Sequence, residues 1–202
     1  SNVDAFFVGG SLMMDSESNN RVANIKKKSE IPLILFPGGV GQLSKHYDAM
    51  LFMSVISGRN SHYLIGEQVI AAPVVKDLGI ETIATGYILL DGGACTTVEF
   101  MSGTRPIPTN KIDIIIAHAL AGQYLGMEAI YLESGSGAQS PVTIDVVTAV
   151  KEVINIPIII GGGIKSPETA SELVKAGGSI IVTGTITEKD SSLMSEIADA
   201  VH

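Results

Sequence analysis

Seven short apolar runs mark the chain, at residues 3–8, 31–36, 49–55, 82–90, 129–132, 156–160 and 179–183. Each predicts a buried strand. The runs are separated by polar or helically spaced stretches. Residues 15–30 predict a short polar helix with Val22 and Ile25 inward, closed by the solvated run Lys26-Lys27-Lys28 where positive charge suits the helix dipole. Residues 44–48 predict another short helix. Residues 63–78 predict a helix with an apolar face of Ile65, Val69, Ile70 and Val74, kinked or broken at Pro73. Asp91-Gly92-Gly93 reads as a turn, after which residues 96–101 are expected to pair back as a hairpin strand. Helices are predicted over 111–125, with Gly126 as C-cap, and over 141–153. Ser166-Pro167-Glu168 starts the next helix, with serine as N-cap and proline in the first turn. Residues 192–201 form the closing helix. Alternation of strand and helix predicts a parallel sheet with helices outside, an α/β barrel spanning 1–202 as one domain. A barrel of this type wants eight strands, and the missing one is expected to be the first, upstream of residue 1.

Composition narrows the partners. The 202 residues are 46% hydrophobic with a formal net charge of −8. An acidic chain lacks the positive footprint of a nucleic-acid binder, so an anionic ligand must be held by local donors or a metal. Cys95 is the single cysteine, which excludes an internal disulfide and suits a cytoplasmic setting. It is expected to be a small buried hydrophobe. No apolar run approaches the roughly 20 residues of a membrane span.

The chemistry gathers where strands end. The stretch Tyr131-Leu132-Glu133-Ser134-Gly135-Ser136-Gly137 runs a buried strand into a carboxylate and then into a donor-rich loop. Gly161-Gly162-Gly163 and Thr183-Gly184-Thr185 follow the next two strands, where barrels often bind phosphate, and glycine lets backbone N–H groups approach an anion. Glu133 reads either as a general base or as a structural carboxylate bonded to backbone donors. Ser134 and Ser136 can donate to phosphate oxygens. Ser11 and Ser57, at other strand ends, are candidate magnesium or phosphate contacts. Magnesium usually wants one or two carboxylates as well, and the early one, Asp15, lies past its strand. His46, His62, His118 and His202 have no metal-ligand spacing. Other readings stay open at this point: a phosphate-binding isomerase or lyase, for which Lys165 is the nearest Schiff-base lysine, or a non-catalytic phosphoglycerol-binding protein.

The segments VGGS (8–11), FPGGVGQLS (36–44), FMS with GRN (52–60), GYI (86–88), YLESGSGA, GGGI (161–164) and TGT (183–185), taken together and in this order, resemble geranylgeranylglyceryl phosphate synthases, archaeal prenyltransferases with a bacterial relative that uses a longer donor. The resemblance implies a modified TIM barrel in which irregular structure near residues 86–105 replaces one helix. It implies that sn-glycerol 1-phosphate is bound by residues Tyr131, Leu132, Glu133, Ser134, Gly135, Ser136 and Gly137, by Gly162 and Gly163, and by Gly184 and Thr185. Glu133 would deprotonate the glycerol 3-hydroxyl for attack on geranylgeranyl diphosphate. Mg²⁺ would neutralise the diphosphate, with Ser11 at a metal-contacting position, and Tyr87 would line the cleft. The family's usual first strand and its metal-binding aspartate loop have no counterpart in these residues. A homo-oligomer, dimer or hexamer, and transient membrane contact are also implied.

Overall fold

The computed structural model describes residues 2–14, 16–186, 190 and 192–202. Its strands are β1 (Phe6–Gly9), β2 (Leu33–Phe36), β3 (Ala49–Val55), β4 (Glu81–Leu89), β5 (Ala129–Glu133), β6 (Ile158–Gly161) and β7 (Ile180–Val182). They pair in sequential order, and every pair is parallel. The helices are α1 (Ser18–Lys28), α2 (Glu67–Leu78), α3 (Thr97–Ser102), α4 (Ile112–Tyr124), α5 (Ile144–Lys151), α6 (Pro167–Lys175) and α7 (Ser192–Val201). All seven apolar runs therefore contain strands, and the fold is the nearly closed α/β barrel that the alternation predicts.

Side-chain alternation along the strands sorts the apolar residues into separate cores. Leu51, Val55, Tyr87, Leu89, Tyr131 and Ile159 fill the barrel interior with Phe7, Phe36 and Val182. Ile88, Ile130, Leu132, Ile158 and Ile160 point outward under the helices of the second half. Leu33, Leu35 and Met50 do the same under the first half, against Val22, Ala71 and Val75. Sheet order leaves β1 and β7 as the two edges. The ends of the chain meet between them: Asn2 donates from Nδ2 to Asp199 Oδ1 at 2.9 Å, and His202 Nε2 lies 3.3 Å from Asp4.

Several expectations are corrected. Residues 96–101 make no hairpin strand; most of them lie in α3. Thr96 Oγ1 accepts from the Glu99 N–H at 3.2 Å, and Gly103 at φ 63° ends the helix. The Thr-x-x-Glu spacing is a helix-start signal that outweighs the turn before it. The chain then returns to the sheet, where Ile107 bridges Leu90 in parallel. Residues 44–48 form a turn, because Ser44 Oγ accepts from the His46 N–H and Ser44 O from the Tyr47 N–H. Helix α2 runs unbroken through Pro73, which lies on its exposed side. The carbonyl that proline deprives of a donor, that of Val69, can then be satisfied by water. The face of Ile65, Val69, Ile70 and Val74 is exposed, and Ala71 and Val75 make the inward contact. Cys95 is exposed in the loop before α3.

Candidate active site

β5 carries the central side chain. Strand alternation sends Leu132 outward and Tyr131 into the interior. Glu133 shares Tyr131's parity and ends the strand at only 6% exposure. The Gly135 N–H donates to Glu133 Oε1 at 2.7 Å, and the Tyr131 hydroxyl also donates to the carboxylate. Both bonds favour the charged form, but burial prevails and pushes the Glu133 pKa from the ordinary 4.5 to about 7. The Tyr131 and Tyr87 hydroxyls are raised well above their usual range, by burial first and by the Glu133 charge second. They are therefore donors at neutral pH.

Beneath Glu133 lies an aromatic layer. Phe36 of β2 stacks on Tyr131 of β5 at 5.2 Å and 8°, so the two strands meet across the barrel. Tyr87 closes the layer at 5.5 Å from Tyr131 and 6.4 Å from Phe36. These rings pack in the barrel interior, with the buried Glu133 carboxylate at the Tyr131 hydroxyl.

The neighbouring strand is shaped to this carboxylate. A Cβ on Gly161 would strike the Tyr131 hydroxyl and come within 2.6 Å of Glu133 Oε2. One on Gly162 would lie 2.5 Å from Glu133 Oε1, and one on Gly163 2.7 Å from the Ser140 carbonyl. Gly162 and Gly163 also have positive φ, 82° and 70°. The glycines thus admit the carboxylate and the β5 loop against the backbone of β6. Ser136 Oγ lies 3.4 Å from Thr185 Oγ1, which joins the loops after β5 and β7 at the rim, and Gly184 and Thr185 are exposed there. Leu132 is packed in the outer core and can offer only its backbone. Ser134 is 1% exposed, and its Oγ has no hydrogen-bond partner.

The wall formed by β1 to β3 is different in kind. Gly38 N–H donates to Gln42 Oε1 at 3.2 Å and Gln42 Nε2 donates to Gly10 O at 2.6 Å, so one buried amide locks two glycine loops together. An apolar groove leaves this corner, lined by Val40, Leu43, Phe52, Met53, Tyr63 and Ala71. A π-helical turn, His62–Gly66, starts the helix over the groove. Glu67 then ties His62 Nε2 at 2.7 Å and the Val40 N–H at 3.3 Å.

Other sequence candidates fall outside this arrangement. Ser57 is buried, and its Oγ accepts from the Leu89 N–H at 2.9 Å, a structural bond. Lys165 is exposed and donates to Gln139 O at 2.9 Å. Ser11 follows β1 with its Cα beside Gly38, on the groove side of the mouth. Among the described residues no group of three His, Cys, Asp or Glu side chains could hold a metal, and Asp15 lies outside the described residues. A hydroxyl alone is a poor magnesium site, so the described residues do not themselves fit that ion. Phe36 and Gln42 take part in the site without having been singled out individually. Phe36 becomes visible once strand register is known, since it is the inward-facing end of its strand.

A parallel barrel with a buried carboxylate at the end of one strand, and glycine loops after the next two, has the layout of an α/β-barrel enzyme, whose chemistry gathers at the C-terminal ends of its strands. The chain belongs to the PcrB family, whose model matches residues 1–201. It is 48% identical over 200 residues to a geranylgeranylglyceryl phosphate synthase of Chitinophaga pinensis, covering 99% of this chain and 79% of that protein. It is 49% identical over 192 residues to the synthase of that name from Pyrococcus horikoshii, covering 95% and 75%. The crystal structure of (S)-3-O-geranylgeranylglyceryl phosphate synthase from Thermoplasma acidophilum in complex with sn-glycerol-1-phosphate superposes with a TM-score of 0.92 at 36% identity, covering 98% of this chain and 81% of that one.

Proposed function

We propose that this chain is a geranylgeranylglyceryl phosphate synthase, joining sn-glycerol 1-phosphate to geranylgeranyl diphosphate. Glycerol phosphate lies over the aromatic layer. Its phosphate is held by the backbone of Gly162 and Gly163 and by Gly184, Thr185 and Ser136 at the rim; the loop from Ser134 to Gly137 closes over it. Glu133 accepts the proton of the 3-hydroxyl. The freed oxygen bonds to C1 of the prenyl group, the bond from C1 to the diphosphate breaks, and pyrophosphate leaves. Tyr131 holds the carboxylate and favours its charged form. The groove from Val40 to Ala71 takes the prenyl chain.

The observation that carries this reading is Glu133, a buried carboxylate at a strand end with its pKa pushed up to about 7, where a base serves best at neutral pH. The family and its named relatives support the substrates. Magnesium, when bound, would neutralise the diphosphate; Ser11 would be its contact in these residues, and no step above depends on it. A homo-oligomer belongs to the same reading, as does transient contact with the membrane that supplies the prenyl donor. No helix among the described residues is long and apolar enough to cross a membrane.

The test is incubation with Mg²⁺, sn-glycerol 1-phosphate and prenyl diphosphates of graded length. Ether product is expected from geranylgeranyl diphosphate. No ether product with any donor contradicts the reading.

A further inference from the structure

The Gly135 N–H that holds Glu133 is itself clamped from two sides. On one side lies the loop after β6: a Cβ on Gly162 would lie 2.6 Å from Gly135 N and 2.8 Å from Gly135 O. On the other side lies Thr96, just before α3. A Cβ on Gly135 would fall 2.1 Å from Thr96 Cγ2 and 3.1 Å from Thr96 Cβ. Gly135 sits at φ 99°. Glycine has the widest choice of backbone conformations, so the aim of this amide at Glu133 depends on what presses against it. Thr96 is well fixed to do so. It is buried, and its Oγ1 is turned to the Glu99 N–H as the cap of α3, which leaves its methyl group to face Gly135. The chain leading to it is fastened to the same β5 loop. The Gln139 and Ser140 N–H groups donate to Gly92 O at 2.9 and 3.3 Å, and a Cβ on Gly92 would lie 2.3 Å from Ser134 O. The far end of α3 is fastened to the loop after β3, where Asn60 Nδ2 donates to Ser102 O at 2.9 Å.

We infer that Thr96 is a positioning residue for Glu133, its methyl group holding the Gly135 amide where it donates to the carboxylate. The two branches of one threonine then serve two ends: the hydroxyl starts α3, and the methyl group fixes the β5 loop. Its catalytic meaning rests on Glu133 being the base of the proposed reaction. Thr96 acts on the carboxylate only through Gly135. The titratable groups that face Glu133 are the Tyr131 hydroxyl of β5 and the Tyr87 hydroxyl of β4. β6 brings glycine to the carboxylate, and α3 carries one ionisable side chain, Glu99, a turn beyond Thr96. The Gly135 bond favours the charged form of Glu133, so loosening that amide makes the carboxyl harder to ionise.

The branched side chain lets the two roles be separated. Thr96→Ser keeps the hydroxyl cap and removes the methyl group; Thr96→Val keeps the methyl group and removes the cap. Each is expected to lower the melting temperature by about 2–4 °C. Carbon NMR of the glutamate carboxyls, with Glu133 assigned by its absence from Glu133→Gln, follows the titration without substrate. Thr96→Ser is expected to titrate roughly 0.5 pH above the wild type, and Thr96→Val with the wild type. The pH profile of kcat/KM for glycerol phosphate should move in step: Thr96→Ser is about threefold slower at pH 6, and the deficit closes above the bend. A Thr96→Ser midpoint at the wild-type value overturns the inference. Equal displacement of the midpoint in both variants also overturns it, because the effect then follows lost stability and not the methyl group. A raised midpoint in Thr96→Ser, in a protein that forms no ether product, supports the role of Thr96 and contradicts the proposed function alone.

Discussion

The two walls of the barrel mouth solve different problems with the same residue type. On the β5–β7 wall, glycine makes room for an ionisable side chain, and Gly161 and Gly162 exist as glycine because Glu133 and Tyr131 occupy the space a Cβ would need. On the β1–β3 wall, glycine lets backbone pack on backbone: Gly38 is pressed on Gly10 and Ser11, and Gln42 pins the loops. One wall places a buried carboxylate against glycine loops. The other opens onto an apolar groove and, among the described residues, brings no carboxylate cluster. Phe36 stacked on Tyr131 is the span between them. One half of the mouth is thus polar and the other apolar, and the Phe36, Tyr87 and Tyr131 rings join them.

The strongest way to break this division is Glu133→Gln. Turnover is expected to fall about 10²–10⁴-fold while glycerol phosphate affinity stays within a few-fold, measured by single-turnover assay and calorimetry. The same variant has a stability signature. Burial raises the pKa of Glu133 in the folded state, so the stability owed to its neutral form is full below about pH 4.5 and is lost as pH rises through about 7. Glutamine stays neutral, and the variant should therefore be more stable than wild type above pH 7, by roughly 1–3 kcal/mol in urea unfolding.

Gly161→Ala should come next. Its backbone is not left-handed, so the effect is steric: alanine displaces Tyr131 and Glu133, lowering turnover by about tenfold or more and destabilising the fold by about 1–3 kcal/mol. On the other wall, Val40→Asp places a charge in the groove while leaving the base untouched. It should raise the KM for the prenyl diphosphate by about tenfold, with little change for glycerol phosphate. If Val40→Asp instead weakens glycerol phosphate binding, the walls are not separate.

Much of this was legible in the residues. Apolar runs located all seven strands, and run 49–55 coincides with β3. Glu133 and the glycine loops stood out because a lone carboxylate and flexible turns interrupt apolar sequence. What was hidden depends on contacts between distant segments. The inward position of Phe36 follows from pairing across the sheet. The hairpin expected at residues 96–101 rests on the turn at Asp91-Gly92-Gly93, and the Thr96 cap of α3 prevails over it. The apolar face of α2 is legible in its spacing, but periodicity marks an apolar stripe without saying what covers it, and Ile65, Val69, Ile70 and Val74 are exposed. The magnesium contact that the resemblance implies at Ser11 belongs to this class, since a single serine hydroxyl does not define a site.

The central claim is that a buried Glu133 titrates near neutrality and must be ionised to work. The pH dependence of kcat/KM for glycerol phosphate, measured by single turnover between pH 5 and 9, tests it directly. A tenfold rise per pH unit on the acid side is expected, with a bend at about pH 7 and a plateau above it, and with the bend moved higher in Tyr131→Phe, which removes a bond favouring the carboxylate. A profile already flat from pH 5, or one that Tyr131→Phe moves to lower pH, would contradict it.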